Sequence, residues 1–257
     1  MSFDVPGATL TRGIGINSHG DVVGVYIDNQ GVHHGFLKEA GRFNSIDVPG
    51  ASGTEAKGIN SSGDVVGFYW DSGGLTHGFL MQGKRFRTID VSGASQGTIL
   101  WAVTDDLKIA GSYDRDDLID HGFALVNGRF TEVDFPGSQG TDPYGMNNLG
   151  LIVGTYVDSN GARAGFLLNH GGFGIINVPG AGNTTARGLN NQGRIVGYDT
   201  MQGVAHGFML ENGAFTTVDF PAASATWARG INTLGEITGS YSDASGVEHG
   251  FTATSTF

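Results

Sequence analysis

Cysteine is absent from this 257-residue chain. Disulfides, thiolate metal ligands and a cysteine nucleophile are therefore excluded together, and the redox compartment stays undecided. Charge is sparse: 15% of residues are charged, and 14 basic against 25 acidic side chains leave a formal net of −11. That sign argues against a nucleic-acid backbone or an anionic membrane surface as partner. No apolar run approaches the roughly 18 residues that span a bilayer. No charged-then-apolar leader precedes Phe3, so either the protein is not exported or its leader lies outside this sequence. No stretch holds an apolar period of 3.6 residues, so helices should be almost absent.

What the chain has in excess is glycine, 45 residues without a three-residue period, which points to many tight turns. These turns recur. The acidic residue of a D[VF]PG-like segment falls at Asp4, Asp47, Asp90, Asp134 and Asp219, with Asn177 in the fifth place, every 42 to 44 residues. Continuing from Asp219 through Phe257 back to Asp4 gives one more interval of the same length. Each unit carries four short β-prone runs separated by Gly, Asp, Ser and Asn. In the second unit they are TEAKGIN, DVVGFY, THGFL and FRTIDVSG.

Four strands per unit of this length is propeller-blade arithmetic. The last copy supplies three strands, and Ser2 to Pro6 matches the missing fourth. Joining both ends in one blade would close the ring and remove an unpaired inner edge. The expectation is a single all-β domain over 1–257, a six-bladed β-propeller with four antiparallel strands per blade. Its repeats run approximately 4–46, 47–89, 90–133, 134–176, 177–218 and 219–257 plus 1–3.

The repeated residues read as structure. HGF recurs at His34, His77, His121, His206 and His249, with AGF at Ala164. A residue present in nearly every blade serves every blade, so these histidines should tie neighbouring strands by a side-chain hydrogen bond. Tyr26, Tyr69, Tyr113, Tyr156, Tyr198 and Tyr241 should pack between blades with their hydroxyls at the rim. The repeated Asp should hydrogen-bond beside its turn. Asp114, Asp116, Asp117 and Asp120 crowd one loop and offer the several oxygen ligands that calcium favours; without EF-hand spacing, a solvated acidic loop is the expectation, and no metal or cofactor is assigned.

GIN, DVVGxY, HGFL and D[VF]PGA together resemble the extracellular repeat family named for a His-Ala-Phe motif, over the whole chain and with Gly replacing the middle Ala. The resemblance implies a propeller-like fold and an extracellular or periplasmic location, but no single activity.

One seven-residue slot varies inside a constant frame: TRGIGIN, TEAKGIN, TILWAVT, TDPYGMN, TTARGLN and TWARGIN. As the first strand of each blade it should lie nearest the axis, with its second and fourth residues at the channel mouth. Those residues are Arg12, Ile14, Glu55, Lys57, Ile99, Trp101, Asp142, Tyr144, Thr185, Arg187, Trp227 and Arg229. Charge and tryptophan, scarce elsewhere, gather here. One asymmetric ligand explains this better than six copies of a plug, although plugging salt bridges such as Lys57 with Glu55 or Arg187 with Asp142 are the plain alternative.

The composition points to an anionic or polyhydroxylated ligand such as an acidic saccharide, bound by a monomer. Arg12, Lys57, Trp101, Arg187, Trp227 and Arg229 would bind it. If chemistry occurs, of lyase or hydrolase type, Tyr144, Glu55 or Asp142 would move protons, with neighbouring cations lowering the tyrosine's pKa. The non-catalytic alternatives are an extracellular recognition module or a propeller scaffold for carbohydrate or protein binding.

Overall fold

In the computed structural model, which describes residues 1–117 and 119–254, twenty-four strands form six sheets of four. The end of the sixth repeat, 255–257, lies outside the described residues. Every sheet is antiparallel, and in five of the six the chain steps outward from an inner strand to an outer one and then crosses to the next blade. Blade two is typical, with strands Gly53–Ile59, Val65–Trp70, Thr76–Gln82 and Arg85–Thr88.

Blade six closes the ring. Its inner three strands come from Ala225–Ile231, Glu236–Ser242 and Glu248–Thr254, and its outer strand is Ser2–Phe3, paired Ser2 to Phe251 and Phe3 to Gly250. The six-bladed architecture expected from the repeat is thus the observed one.

The core repeats with the blades. Phe36, Phe79, Phe123, Phe166, Phe208 and Phe251, the aromatic residues of the HGF or AGF motif, are at most 2% exposed. They fill the space between sheets, where burying each ring contributes roughly 2–3 kcal/mol.

The inner strands approach so closely that a Cβ on Gly58 would lie 2.9 Å from the Trp101 carbonyl oxygen of the next blade. Every inner strand also carries a β-bulge at the fourth slot residue. In blade two Ala56 pairs with Gly67 and Gly58 with Val66, leaving Lys57 unopposed. A bulge turns its extra residue out of the ladder. The same irregularity frees Ile14, Trp101, Tyr144, Arg187 and Arg229.

At the opposite end of the channel a belt of amides holds the blades together. Asn17, Asn60, Asn147, Asn190 and Asn232 each donate through Nδ2 to the backbone carbonyl of the next blade's slot, at 2.9–3.3 Å. Thr104 replaces asparagine in blade three. There Asp105 and Asn148 bridge the same seam: Asn148 Nδ2 donates to Asp105 Oδ2 at 2.6 Å, and Asp105 N–H donates to Asn148 Oδ1 at 3.0 Å.

Candidate functional site

The bulged residues converge where six strands meet. Ile14, Lys57, Trp101, Tyr144, Arg187 and Arg229 surround a cavity of about 90 Å3, floored by the following residues of each strand. Arg187 lies over the Tyr144 ring at 3.8 Å and over Trp101 at 5.3 Å. Trp101 and Tyr144 meet edge to face, 4.8 Å between centroids. Lys57 lies over Phe68 and Trp101 at 5.1 and 5.2 Å.

The second slot residues surround this centre, and most are already partnered. Glu55 binds Lys57 Nζ at 2.5 Å and His33 Nδ1 at 2.7 Å. Arg12 grips Glu248 through Nε at 2.8 Å and a terminal nitrogen at 2.7 Å. Asp142 accepts the Tyr144 hydroxyl at 3.0 Å. Trp227 is half-buried, in register with Ser240. The Lys57–Glu55 pair of the plug alternative is present; Arg187 and Asp142 form no ion pair among the described residues.

Arg187 stands apart. Among the described residues its guanidinium has neither a hydrogen bond nor a salt bridge, whereas Arg12, Lys57 and Arg229 each have an acidic or hydroxyl partner. Arg229 donates to Ser240 Oγ at 3.2 Å and lies 3.6 Å from Glu248, yet its buried Nε is unpartnered. Burial, and then the Arg187 charge, push the Arg229 pKa down to about 10. Positive charge is therefore crowded at this mouth and only partly balanced.

The tyrosines correct two expectations. Burial, followed by the Asp142 carboxylate, raises the Tyr144 pKa, and Arg187 does not offset them. The lowering expected of a proton-abstracting Tyr144 is absent because desolvation outweighs the cation. The lowered tyrosine is Tyr198: burial opposes its ionisation, but Arg187 and Arg229 prevail. Tyr198 does not pack at the rim with the other five. It occupies the register of Val25, Phe68, Ser112, Thr155 and Ser240, one residue before the rim tyrosine, and pairs with Thr185. The shorter fifth copy lost its residue in the following turn, not in the strand.

Asp142 is shifted upward by burial and by Asp120. Glu55 is held low because Lys57 and His33 overcome the penalty of burial. Burial in turn lowers the Lys57 ammonium against the pull of Glu55.

Residues outside the slot complete the mouth. Glu248 and His33 directly precede the HGF motif, and Asp120 and Arg163 hold the same position in blades three and four. A signal was available: this position reads His, Thr, Asp, Arg, Ala, Glu around the ring, as variable as the slot. The residue before the rim tyrosine varies likewise. Ser112 accepts the Trp101 indole N–H at 2.9 Å, and Ser240 donates to Glu248 at 2.5 Å.

The repeated histidines are ties. His34, His77, His121, His206 and His249 donate through Nδ1 to Asp47, Asp90, Asp134, Asp219 and Asp4 at 2.7–2.9 Å. The last of these fastens the first strand to the last blade. His121, Glu132 and Asp134 lie close enough to share an ion, but both His121 nitrogens face aspartates and Arg115 sits on Glu132 at 2.6 Å. In the acidic loop Asp114 and Asp120 are a cross-strand pair, and burial with the Asp120 charge raises Asp114 to about 6.

No family model and no curated protein matches the sequence. Solved structures do resemble the fold. The six-bladed fucose-recognising lectin of Aleuria aurantia aligns over all of this chain and 95% of its own, at 10% identity and a TM-score of 0.57. A mutant of AofleA from Arthrobotrys oligospora covers 98% and 86% at 15% identity and TM-score 0.64. TolB from Acinetobacter baumannii reaches the same TM-score at 12% identity, over 80% of this chain and 54% of that one. At such identities the likeness establishes the fold alone.

Proposed function

We propose that this propeller is a non-catalytic carbohydrate-recognition module whose central mouth holds an acidic saccharide. The observation that carries the reading is Arg187, a guanidinium with no polar partner among the described residues, backed by the faces of Tyr144 and Trp101. A guanidinium fork matches a carboxylate in two parallel hydrogen bonds, and aromatic walls suit the apolar face of a sugar ring. The cavity of about 90 Å3 is small beside the roughly 300 Å3 at the lower end of ligand pockets. A sugar therefore docks at the mouth with its carboxylate directed inward, and does not descend the channel. Saccharide-binding lectins among the fold's neighbours support a sugar as ligand. The raised Tyr144 and the engaged Glu55 argue against these two residues as bases, and recognition without catalysis is the function proposed. The extracellular location implied by the His-Ala-Phe resemblance suits such a module.

Titration calorimetry with oligogalacturonate, against the neutral galacto-oligosaccharide and L-fucose, tests this. Binding of the acidic oligomer alone, weakened by salt and at least tenfold weaker in Arg187→Ala, is expected. Equal binding of the neutral oligomer, or an unaffected Arg187→Ala variant, refutes the central mouth as the site.

A further inference from the structure

Blade five lacks a side chain that the other five blades possess, and the gap is open. In those blades a rim tyrosine stands opposite the motif residue, as Tyr26 opposite His34 or Tyr156 opposite Ala164. In blades one, two and six the ring stacks on the histidine, with centroids 4.9–5.2 Å apart. In blades one and two the hydroxyl reaches Ser45 or Thr88 on the outer strand. In blade five Asp199 stands opposite His206 instead, and Thr217 holds the place of Ser45 and Thr88.

The following turn has also changed. In the other four blades that carry the histidine, the turn places an Asp near Nε2: Asp28, Asp71, Asp117 and Asp243; here a two-residue hairpin turn, Gln202 and Gly203 at φ +51° and +85°, replaces it. His206 consequently has no partner at Nε2 among the described residues, and its side chain is 38% exposed against 12–24% for the other four.

A recess of about 170 Å3 occupies the space, lined by Val178, Asp199, Met201, His206, Phe208 and Phe215, with Thr216 and Thr217 at its rim. It matches in size a cavity known to take one benzene ring, roughly 150 Å3. Its polar atoms indicate more than benzene. Asp199 is only 4% exposed, and its Oδ1 is buried with no hydrogen-bond partner. A buried acceptor without a donor is costly, so a ligand that donates there recovers the lost hydrogen bond.

We propose that this recess binds a small monocyclic phenol bearing a hydrogen-bond donor on a one-carbon para arm. Its ring replaces the missing tyrosine against His206, its hydroxyl meets Thr217, and its arm donates to Asp199. The site is independent of the central mouth.

The probe is 4-hydroxybenzylamine, with toluene and 4-methylphenol for comparison, followed by NMR on the whole chain. Titration is expected to move the His206 ring resonances, with 4-hydroxybenzylamine binding at least tenfold tighter than 4-methylphenol and toluene weakest. Asp199→Tyr, which restores the side chain of the other blades, should weaken binding at least tenfold. Asp199→Ala should remove the advantage of the amine while retaining 4-methylphenol. Unmoved His206 resonances at millimolar probe, or undiminished binding in Asp199→Tyr, overturn the proposal. Should Asp199→Tyr fail to fold, the His206 shifts and the amine preference in the wild-type chain decide alone.

Discussion

The rim and the mouth of this propeller are built from the same strands, yet they follow opposite rules. At the rim the His–Asp tie recurs in five blades, and blade four has lost both members together, with Ala164 and Asn177 in their places. At the mouth the frame is constant and no two blades offer the same pair of slot residues. What every blade needs to cohere is repeated; what a single axis needs occurs once. Joint loss also identifies partners, since a histidine without its acceptor, or the reverse, would leave an unpaired polar group.

The sharpest way to break this contrast is at the mouth. Glu55 is buried between Lys57 and His33. Glu55→Ala would strand the Lys57 ammonium in a site already crowded by Arg187 and Arg229. Removing one partner of a buried pair typically costs about 3–5 kcal/mol. A loss in that range is expected in urea unfolding, whereas Lys57→Met with Glu55→Gln should recover most of it. A loss below about 1 kcal/mol would show that the pair is effectively solvated.

Much of the architecture was legible because repetition multiplies weak signals. Six copies of a four-run pattern, in phase across both termini, fix blade number and closure even though each strand alone is ambiguous. The inward side of the slot followed from small Ala and Gly residues alternating with large ones. The bulge at the fourth residue was not legible, because it changes pairing without changing composition. Nor was the displacement of Tyr198: the repeat groups it with the five rim tyrosines, whereas the strand keeps its register, the turn contracts, and Asp199 takes the rim position. The pKa of Tyr144 required knowledge of burial, which spacing does not carry. Glu248 and His33 could have been found, since the position before HGF varies as widely as the slot.

At the rim the smaller, complementary test restores what blade four lost. In blade six Tyr241 lies between Phe220 at 3.8 Å and His249 at 5.2 Å, and His249 is bound to Asp4. In blade four Tyr156 has the equivalent stack on Phe135 at 3.7 Å, with Ala164 where the histidine would be. Ala164→His together with Asn177→Asp should stabilise the fold by about 1 kcal/mol. Either change alone should be near neutral or harmful. The coupling energy of this double-mutant cycle is the quantity to read; additivity would mean that the two residues do not form the tie.

The smallest effect is the pH dependence of the ties themselves. His77 is raised first by its bond to Asp90, while His121 and His249 are raised by their aspartates against the opposing effect of burial. A group raised on folding contributes stability that is fully present below its unfolded pKa, roughly 6.5, and lost as pH climbs through the folded value. Asp114, raised to about 6 by burial and Asp120, acts in the same direction, because its ionisation is disfavoured in the folded state and that penalty is complete only above this value. The melting temperature should therefore fall between pH 5.5 and pH 8.5. Asp114→Asn should remove part of the slope and raise stability at pH 8 by no more than about 1 kcal/mol, given solvent screening at a partly open site. In His77→Gln the slope should diminish independently, because blade two shares no titrating partner with that acidic pair; a slope unchanged in both variants would place the titration elsewhere.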